Sequence, residues 1–376
     1  MACPEFLKPR LRLFLSADIV GSTALKQSRG HGSTEELKHR SHWFSIIQGF
    51  YIESQREFIG RWTTKSQEHA NQPELFGEAP TLWKTIGDEV LFVKVLDDHR
   101  QLAIALKCWT DAVQHLKSFV KARDPRLDIK ATAWTAGFPV KNKEVVIGSS
   151  TEFETGEIDN FFLESGRLLD AHYESKGKKS DIEVDYIGPS IDIGFRIAGQ
   201  ASPRKFIIGV DVAYILALTS PRQDDLIDEF SVRYGGALPL KGVFGGVDYP
   251  IFWLDLSQPN SLSRLEDTLT GSGSSSRDDV RRYCDAFYRE FDNYTHRPFI
   301  KADLEQHIAD FPPWYIEVHD NMVANYNAEK NPGEEPDDGD SVEGSEQALK
   351  IDEVTKIIVG ELAKTSEEDT APLIEK

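Results

Sequence analysis

The sequence has few cysteines and no long apolar run. Its 376 residues include three cysteines, Cys3, Cys108 and Cys284. They lie far apart and cannot all pair, so we expect no disulfide framework and predict a reducing, cytoplasmic location. No stretch of about 18 apolar residues occurs, so no membrane-spanning helix or membrane insertion is expected. The N-terminal residues also lack the basic, apolar and small-residue pattern of a secretory signal.

Positive charge is also scarce. The chain has 43 Lys and Arg residues against 62 Asp and Glu residues, a formal net charge of −19. A general nucleic-acid-binding protein needs a positive surface, so we predict no nucleic-acid partner. A nucleotide substrate stays possible, because a few local cations and a metal ion can hold one triphosphate. With 40% hydrophobic residues, the chain is too apolar to be wholly disordered.

Changes in composition predict five segments. Glycine and serine residues are frequent in one linker, and prolines and acidic residues in a second, where the sequence reads NPGEEPDDGDSVEG. The predicted segments are a main domain at 8–256, a flexible linker at 257–276, a helical extension at 277–330, an acidic linker at 331–347 and a short amphipathic helix at 348–368.

The pattern of apolar residues predicts alternating strands and helices in the main domain. The strands include a hairpin, so we expect a mixed α/β fold, an α+β sandwich with one helical face rather than an all-parallel sheet. Strands are predicted at 11–20, 82–92 (the hairpin), 127–136, 205–210 and 249–256, helices at 33–58, 100–122, 191–201 and from 212, and a loop or insertion at 64–80. Residues 142–179 give no clear pattern.

Two aspartates end apolar strands of the main domain. Asp18 lies near the end of the strand at 11–20, and Asp88 lies at the tip of the hairpin. Aspartates at such places often only form turns. However, a carboxylate at the end of a buried strand needs a partner, and a hard cation such as Mg²⁺ takes carboxylate oxygens. The sequence Gly21-Ser22-Thr23, at a predicted helix start, offers free N–H groups for a phosphate. Together these features indicate a metal–phosphate site.

The residues around these aspartates resemble those of a known enzyme family. The segments FLSADIVGST and KTIGDEVLF resemble the two metal-binding segments of the class III nucleotidyl cyclases. The segment at 185–196, DYIGPSIDIGFR, is similar to a third family motif, and Lys205 follows it at the family's spacing. The closing strand YPIFWL also fits. The resemblance covers residues 8–256 and implies a cyclase-type sheet rich in antiparallel strands, with helices and a C-terminal helical extension.

The resemblance implies metal and phosphate roles. Asp18, Asp88 and the carbonyl of Ile19 would bind two Mg²⁺ or Mn²⁺ ions that assist attack of the ribose 3′-hydroxyl on the α-phosphate. Arg196 would meet the charge that develops there, and Lys205 would bind the β- or γ-phosphate. Without the resemblance, Arg196 reads as a surface-helix arginine and Lys205 as a strand-edge lysine.

One position departs from the family pattern. Asp192 stands where the family has a transition-state asparagine. An asparagine amide can donate a hydrogen bond, whereas an ionised aspartate only accepts. Asp192 would repel a triphosphate unless a cation compensates, so we expect it to orient Arg196 or the ribose. The departure also keeps a second hypothesis open, a catalytically degenerate cyclase-like domain that binds nucleotide only.

The most detailed prediction concerns which nucleotide base the site would accept. Lys84 and Asp185 match the pair that reads adenine in adenylate cyclases. The chain organisation instead resembles the bacterial antiphage cyclic-pyrimidine (Pycsar) cyclases, which make cyclic UMP or cyclic CMP for a separate effector. Lys84 can donate to a uracil carbonyl and Asp185 can accept from N3–H, which favours UTP over CTP. Tyr51 is the candidate that fills the space of a purine's second ring, although it also reads as an ordinary core residue.

The resemblance further implies a homodimer. Metal-binding residues would come from one subunit, and residues for the base, the transition state and the triphosphate from the other, giving two composite sites. The favoured function is therefore a uridylate cyclase, with a cytidylate cyclase or an adenylate cyclase as alternatives. A zinc site is not predicted, because the ten histidines show no ligand-type spacing with the cysteines.

Overall fold

The computed structural model describes most of the chain up to residue 330. The described residues are 3–27, 42–147, 161–175, 183–222, 226–227, 229–256, 261–271, 273–301, 303–305 and 307–330. All of them belong to one compact unit, Met1–Lys330. The acidic linker and the short helix predicted at 331–368 lie outside the described residues, as does the predicted start of the first long helix.

The described strands form one large sheet and one small sheet. The large sheet has seven strands in the order β2-β3-β1-β4-β7-β9-β8, and β5 pairs with β6. Neighbouring strands are antiparallel except for β4 and β7, which are parallel. This confirms the mixed α/β fold. The strands are β1 Arg10–Val20, β2 Thr81–Ile86, β3 Glu89–Leu96, β4 Asp128–Phe138, β5 Lys143–Ile147, β6 Glu183–Ile187, β7 Lys205–Ile208, β8 Val232–Pro239 and β9 Asp248–Asp255.

Helices pack against the large sheet, most of them after a strand. The α-helices are α1 Ser22–Gln27, α2 His42–Glu68, α3 Arg100–Lys121, α4 Phe161–Glu174, α5 Pro189–Ala198, α6 Val210–Leu218, α7 Ser261–Thr270, α8 Arg277–Glu290 and α9 Pro313–Lys330. Helix α3 contacts α2, β1 and β4. None of the described helices has the length and apolar content to cross a membrane.

Strand β1 is central and largely buried. It pairs along its length with β3 on one side and β4 on the other. Leu13, Phe14 and Ala17 are fully buried, and the ring of Phe14 stacks on Trp134 of β4 with centroids 5.5 Å apart. Because both faces are covered, the strand reads as an almost continuous apolar run. Pairing on both sides therefore fixes the position of Asp18 relative to β3 and β4.

Helix α2 is longer than the sequence indicates. It continues to Glu68, through the first part of the segment predicted as a loop, and a 3₁₀ turn follows at Pro73–Leu75. The extra turns are held because Trp62 is buried, with the Lys94 ammonium 4.6 Å from its ring centroid. The same ammonium donates to the carbonyl oxygens of Phe76 and Glu78, both at 2.7 Å. These bonds fasten the segment after α2 to β3.

The segment predicted as a flexible linker contains helix α7. Its Asp267 carboxylate pairs with the guanidinium groups of Arg204 and Arg233, each at 2.7 Å. These two arginines belong to the sheet region, one immediately before β7 and the other in β8. Two ion pairs therefore hold α7 against the sheet, although the glycine and serine content of the flanking sequence predicts flexibility. The sequence of residues 257–276 shows a high glycine and serine content, but it does not show that Asp267 meets Arg204 and Arg233.

The helical extension packs onto the main domain. Helix α8 lies against α6, where the Tyr288 hydroxyl donates to Asp211 at 2.6 Å. On α9, the Tyr315 hydroxyl donates to the Phe138 carbonyl at 2.9 Å. Helix α9 also contacts α4. The predicted extension thus covers the main domain and belongs to the same compact unit.

Strand β8 has no counterpart in the sequence prediction. Gly235 and Gly236 interrupt it and read as a turn in sequence. In the structure, the pairing of β8 with β9 shifts register between Tyr234 and Ala237. The two glycines therefore lie in a β-bulge, which keeps the strand in the sheet while disturbing the periodic pattern.

Candidate active site

The register of β1 brings the two predicted metal-binding aspartates together. Asp18 lies opposite Glu89 on β3 and opposite Lys130 on β4. Asp88 occupies the turn that joins β2 to β3, and its carbonyl accepts from the N–H of Ile19 at 3.4 Å. The end of β1 and the hairpin tip are therefore joined by a backbone bond. Both carboxylates lie at this junction.

Each aspartate holds a lysine ammonium group. Lys130 Nζ is 2.9 Å from Asp18 Oδ2, and Lys26 Nζ is 2.9 Å from Asp88 Oδ1. The Ser22 hydroxyl donates to Asp88 Oδ2. Both carboxylates are partly exposed, at 27% and 21%. Cationic charge is thus already bound at both positions, at a place that a ligand from solvent can reach.

The two carboxylates have opposite electrostatic shifts. Burial raises the pKa of Asp18, and the negative charge of Asp88 adds to this, while Lys130 opposes it. Burial would also raise the pKa of Asp88, but hydrogen bonds from Ser22 and Lys26 outweigh it and lower that pKa. Asp88 is therefore held in its ionised form more strongly than Asp18 is.

The donor atoms at the junction suit a hard divalent cation. Asp18 and Asp88 offer carboxylate oxygens, and Ile19 offers a backbone carbonyl, which are the ligand types that Mg²⁺ and Mn²⁺ prefer. Neither histidine nor cysteine is among these residues. The fit is one of chemistry: oxygen donors, two negative charges and partial exposure.

The predicted phosphate loop, Gly21-Ser22-Thr23, has a constrained backbone, and one of its side chains is already hydrogen-bonded. Gly21 has a φ of +91°, and a Cβ there would lie 3.1 Å from the Arg126 carbonyl oxygen, so glycine is required. Ser22 is buried and uses its hydroxyl on Asp88, whereas Thr23 is exposed. The loop therefore fixes the Asp88 carboxylate through Ser22, and helix α1 is only six residues long.

Lys84 and Asp185 form a direct ion pair. Lys84 Nζ is 2.7 Å from Asp185 Oδ1 and 3.0 Å from Oδ2. The indole N–H of Trp83 also donates to Oδ1, at 2.9 Å, as does the backbone N–H of Tyr186. Oδ1 therefore accepts from three donors, whereas among the described residues Oδ2 accepts from the lysine alone. Oδ2 is the oxygen that a base can share.

A bulge explains why Trp83 and Lys84 reach the same carboxylate. The pairing of β2 with β3 shifts register between Leu82 and Lys84. Neighbouring strand residues normally point to opposite faces, and a bulge re-aims one of them. Lys84 also lies over the Trp83 ring, with Nζ 4.2 Å from the centroid. This aromatic contact adds to the ion pair in placing the ammonium.

Aromatic rings surround the Lys84–Asp185 ion pair. The Trp83 ring lies 5.2 Å from Phe14, 5.2 Å from Tyr186 and 6.2 Å from Phe195, measured between centroids. Phe195 also lies 5.6 Å from Trp134. The Asp185 carboxylate is thus bordered by apolar surface, where a polar match to a ligand counts for more than in water.

Helix α5 presents Asp192 and Arg196 on one exposed face. The two residues are four apart, which places them one turn apart on the same side. The opposite side holds the buried Ile191 and Ile197. Gly194 packs against Trp134, and a Cβ there would come within 2.2 Å of the ring, so glycine sets the close approach of the helix. Arg196 is therefore positioned by its helix and exposed, where a ligand can reach it.

Lys205 begins strand β7. It lies opposite Asp255 on β9, and its Nζ is 5.3 Å from the Trp253 ring centroid. The neighbouring Arg204 is committed to Asp255 and Asp267. Of the two adjacent cations, Lys205 is thus the one available for an anionic ligand.

Tyr51 lies with the carboxylate junction. Its hydroxyl donates to the carbonyl of Gly87, next to Asp88. Within the described part of the chain, no hydrogen bond or ion pair joins Tyr51 to Lys84 or Asp185. The structure thus places the Tyr51 hydroxyl at the hairpin tip, beside Asp88.

Three side chains at these sites were missed from the sequence. Lys130 pairs with Asp18, Lys26 with Asp88, and Trp83 with Asp185. Each lies far in sequence from its carboxylate partner, and Trp83 differs only in being next to Lys84, which the motif singles out. A signal for Lys130 existed, since it is the only lysine within the predicted strand at 127–136, but only the register shows which carboxylate it meets.

Comparison with known proteins gives structural likenesses only. No protein-family model matches this sequence, and no curated protein is a significant match. The adenylyl cyclase CyaB from P. aeruginosa is similar over 68% of this chain and 97% of its own, at 11% identity and a TM-score of 0.42. The guanylate cyclase domain of RhGC from Catenaria anguillulae, solved with GTP, covers 66% and 97% at 12% identity and a TM-score of 0.41.

A third likeness is to the non-canonical dimeric guanylyl cyclase domain of a RhoGC fusion protein from Blastocladiella emersonii. It covers 66% of this chain and 97% of its own, at 13% identity and a TM-score of 0.37. At these scores and identities the likenesses carry no argument about activity. The function is therefore argued from the residues of this chain.

Proposed function

We propose that this protein is a nucleotide cyclase that converts UTP to 3′,5′-cyclic UMP and pyrophosphate. The observation that carries the proposal is the convergence of Asp18 and Asp88 at the end of β1 and the tip of the β2–β3 hairpin. Two carboxylates at a partly exposed junction suit the binding of two divalent ions and a triphosphate.

Asp18, Asp88 and the Ile19 carbonyl would hold two Mg²⁺ or Mn²⁺ ions. When bound, these ions supply activation of the ribose 3′-hydroxyl and neutralisation of phosphate charge. Lys130 and Lys26 pair with these carboxylates in the structure. In the proposed site both lysines yield those oxygens and remain near the phosphates as additional positive charge.

Arg196 and Lys205 act on the phosphates in this proposal. The planar guanidinium of Arg196 donates to the α-phosphate oxygens, where negative charge increases as the 3′-hydroxyl attacks. Lys205 balances the β- and γ-phosphates that leave as pyrophosphate. Asp192, one turn from Arg196, orients that guanidinium or a ribose hydroxyl, since it can only accept hydrogen bonds while ionised.

Uracil suits the arrangement of Lys84 and Asp185. Its N3–H can donate to Asp185 Oδ2, while Lys84 turns to a neighbouring carbonyl of the base. Asp185 Oδ1 stays in place because Trp83 and the Tyr186 N–H keep donating to it. The Trp83 ring takes up apolar volume beside the pair, which favours a single-ring base.

An adenylate cyclase is the second candidate. The specific observation in its favour is the intact Lys84–Asp185 ion pair, because the resemblance assigns that pair to adenine in adenylate cyclases. A cytidylate cyclase has less support, since cytosine presents an acceptor at N3, which Asp185 would repel. A nucleotide-binding domain without turnover draws its support from Asp192 alone.

The proposal extends to assembly and signalling. We propose a homodimer with composite sites, which is what the resemblance to the class III cyclases implies, with metal-binding residues from one subunit and base, transition-state and triphosphate residues from the other. The Pycsar-like organisation of the sequence supports a role for the product as a second messenger for a separate effector in antiphage defence. The activity would then take place in the cytoplasm, where the triphosphate is available.

The proposal is tested by product analysis. Purified full-length protein is incubated with UTP and Mn²⁺, and the products are separated by chromatography. Cyclic UMP and pyrophosphate are expected in equal amounts, and a chelator added before the substrate should prevent both. Release of phosphate without any cyclic nucleotide would contradict the proposal.

A further inference from the structure

His99 is a buried histidine at the start of α3, away from the residues of the proposed active site. Its side chain is fully buried. Nδ1 lies 2.7 Å from Asp303 Oδ1, which also accepts from the His99 backbone N–H at 3.1 Å. A carboxylate that accepts two bonds from one residue fixes the ring and places the proton on Nδ1. Nε2 therefore presents a lone pair.

Nε2 of His99 is buried and has no hydrogen-bond partner among the residues that the structure describes. It faces Glu305 Oε2 at 3.5 Å, and His307 Nε2 lies 3.3 Å from the same oxygen. A lone pair facing a carboxylate oxygen is two acceptors without a donor, and a buried acceptor of this kind is costly. A cation among these three atoms would satisfy them all.

The groups around this cluster leave Glu305 Oε2 for that cation. Arg100 Nη1 pairs with the other oxygen, Oε1, at 3.0 Å, and Arg100 is itself held by Asp98 through Nε at 2.8 Å. His307 and Glu305 are partly exposed, so an ion and one water molecule can enter from solvent. The described cluster thus has a buried nitrogen, a directed carboxylate oxygen and an accessible histidine.

The loop that carries Glu305 and His307 is preorganised. The Ile300 N–H donates to the Ile308 carbonyl at 2.7 Å, closing the loop at its base. The His307 N–H donates to Asp303 Oδ2 at 3.0 Å. Asp303 therefore orients His99 with one oxygen and the backbone of His307 with the other, and no large movement is needed for both histidines to meet one ion.

We propose that His99, Glu305 and His307 form a binding site for a first-row transition-metal ion, with Zn²⁺ as the expected occupant. Zinc binds histidine nitrogen and carboxylate oxygen at about 2.0–2.1 Å in tetrahedral geometry, which sets neighbouring ligand atoms about 3.3 Å apart. The two nitrogen–oxygen separations, 3.5 and 3.3 Å, match that edge. The hydrogen bond from His99 Nδ1 to Asp303 is the orienting contact that metal-bound histidines usually make.

This site differs in chemistry from the Asp18–Asp88 junction. Two imidazole nitrogens favour Zn²⁺ over Mg²⁺, which binds oxygen and gives up its water reluctantly. Three protein ligands leave the fourth position for water. Because His99 belongs to the β3–α3 connection and the other two ligands to the segment before α9, the ion would fasten the C-terminal extension to the main domain.

A second histidine cluster serves as the control. His115 Nε2 lies 3.5 Å from Glu53 and 3.7 Å from Glu57. Both carboxylates there are paired with arginines, Arg56 on Glu53 and Arg61 on Glu57 at 2.9 Å. His115 is also partly exposed, and only one nitrogen ligand is available. A histidine near two carboxylates is thus present in both clusters, but only the first has the orienting carboxylate and the unpartnered nitrogen.

The test measures metal binding in the full-length protein. Chelator-treated protein is equilibrated with Zn²⁺ in excess Mg²⁺, which keeps carboxylate-only sites filled, and bound zinc is counted by elemental analysis after desalting. One zinc ion per chain is expected, with a higher melting temperature and, for Co²⁺ in its place, the intense visible absorption of tetrahedral cobalt. His307→Gln and Glu305→Gln should each weaken zinc binding at least about tenfold, and Asp303→Asn by about 10–100-fold.

The control variant His115→Gln should bind zinc as the unaltered chain does. His307 and Glu305 are exposed enough that their variants should fold, which circular dichroism checks. Absence of bound zinc in the unaltered chain would overturn the proposal. So would equal zinc binding by His307→Gln and the unaltered chain, or an equal loss in His115→Gln.

Discussion

Lys130 Nζ lies 2.9 Å from Asp18 Oδ2, and the two residues are directly paired in the register of β1 and β4. The sheet itself therefore supplies a cation to the first carboxylate, while Lys26 supplies one to Asp88. In the proposed site both lysines yield these carboxylate oxygens to the metal ions and stay near the phosphates. The account of function rests on this junction.

Removal of either junction carboxylate should abolish turnover. In Asp18→Ala or Asp88→Ala the site loses charge that holds the metal ions, and we expect a rise of several kcal/mol in the barrier. The measurement is the rate of cyclic nucleotide formation with Mn²⁺. The matched control is Asp248→Ala, at an exposed aspartate that begins β9, which should keep its rate. More than about a tenth of the normal rate in both junction variants, a loss under about 1.4 kcal/mol, would refute the metal assignment.

Two inactive variants should restore activity when mixed. Asp18→Ala and Arg196→Ala each damage both sites of their own homodimer if the sites are composite. In a mixed dimer one site carries both defects and the other carries neither. Random exchange gives about half mixed dimers, so roughly a quarter of all sites should work. Co-refolding followed by an activity assay checks this. If subunit exchange is shown by two different tags and no activity returns, the sites are not composite.

Trp83 should control base preference. Its indole N–H donates to Asp185 Oδ1 at 2.9 Å, and its ring lies beside the ammonium of Lys84. We expect Trp83→Ala to reduce the preference for UTP over ATP about tenfold, since a filled pocket or a matched polar edge contributes about 1–3 kcal/mol. Trp83→Phe keeps the ring and should lose less. The ratio of kcat/KM for UTP to that for ATP is the measurement, and an unchanged ratio in both variants would remove Trp83 from base selection.

Tyr51→Ala should weaken UTP use more than it harms folding. Tyr51 is half-buried, and its hydroxyl donates to the Gly87 carbonyl beside Asp88. Tyr51→Phe separates the ring from this hydrogen bond and serves as the control. Activity with UTP and the melting temperature are measured together. If Tyr51→Ala lowers only the melting temperature, Tyr51 is a core residue and not a base filler.

Asp211 should make the free energy of unfolding depend on pH. Burial raises its pKa to about 6, against the hydrogen bonds from Tyr288 and Thr135 and the charge of Lys141. An unfolded aspartate titrates at 3.8, so between these values the folded state binds more protons. Stability from this group is thus present below pH 3.8 and lost as pH rises through about 6, by about 3 kcal/mol in all.

Asp211→Asn tests this dependence. Its amide cannot ionise, and its Oδ1 can still accept from Tyr288. Urea unfolding from about pH 4 to about pH 7 should show a flatter profile in the variant than in the unaltered chain. The neighbouring Cys284 and Tyr249 ionise above this range because burial raises their pKa values, and the remaining titrating groups are shared by both proteins, so they cancel in the comparison. Parallel profiles would show that Asp211 titrates normally.

The sequence predicted those elements whose pattern is set locally. The apolar residues of α3 repeat at helical spacing, and its observed bounds, Arg100–Lys121, match the prediction within one residue. Strand β1 was found because both of its faces are covered. Strand β8 was missed since Gly235 and Gly236 hide a bulge, and the end of α2 was missed because Trp62 is held by the distant Lys94.

The site residues also fall into two groups, those that motifs indicate and those that depend on strand register. Asp18, Asp88, Lys84 and Asp185 are predicted from motifs, and in the structure the members of each pair lie together. The lysines that pair with the aspartates depend on strand register, which the sequence does not show. The histidine cluster is a stronger case: its ligands belong to segments about 200 residues apart, so no local spacing reveals it.

The most direct test of the central claim is a competition assay. Purified full-length protein and its Asp88→Ala variant are each given Mn²⁺ and equal concentrations of the four nucleoside triphosphates, and the cyclic products are resolved by chromatography. The account predicts that the unaltered chain forms cyclic UMP at least about tenfold faster than any other cyclic nucleotide, and that the variant forms none. Equal or preferred conversion of ATP would refute the uracil assignment, and the absence of every cyclic product would contradict the cyclase itself.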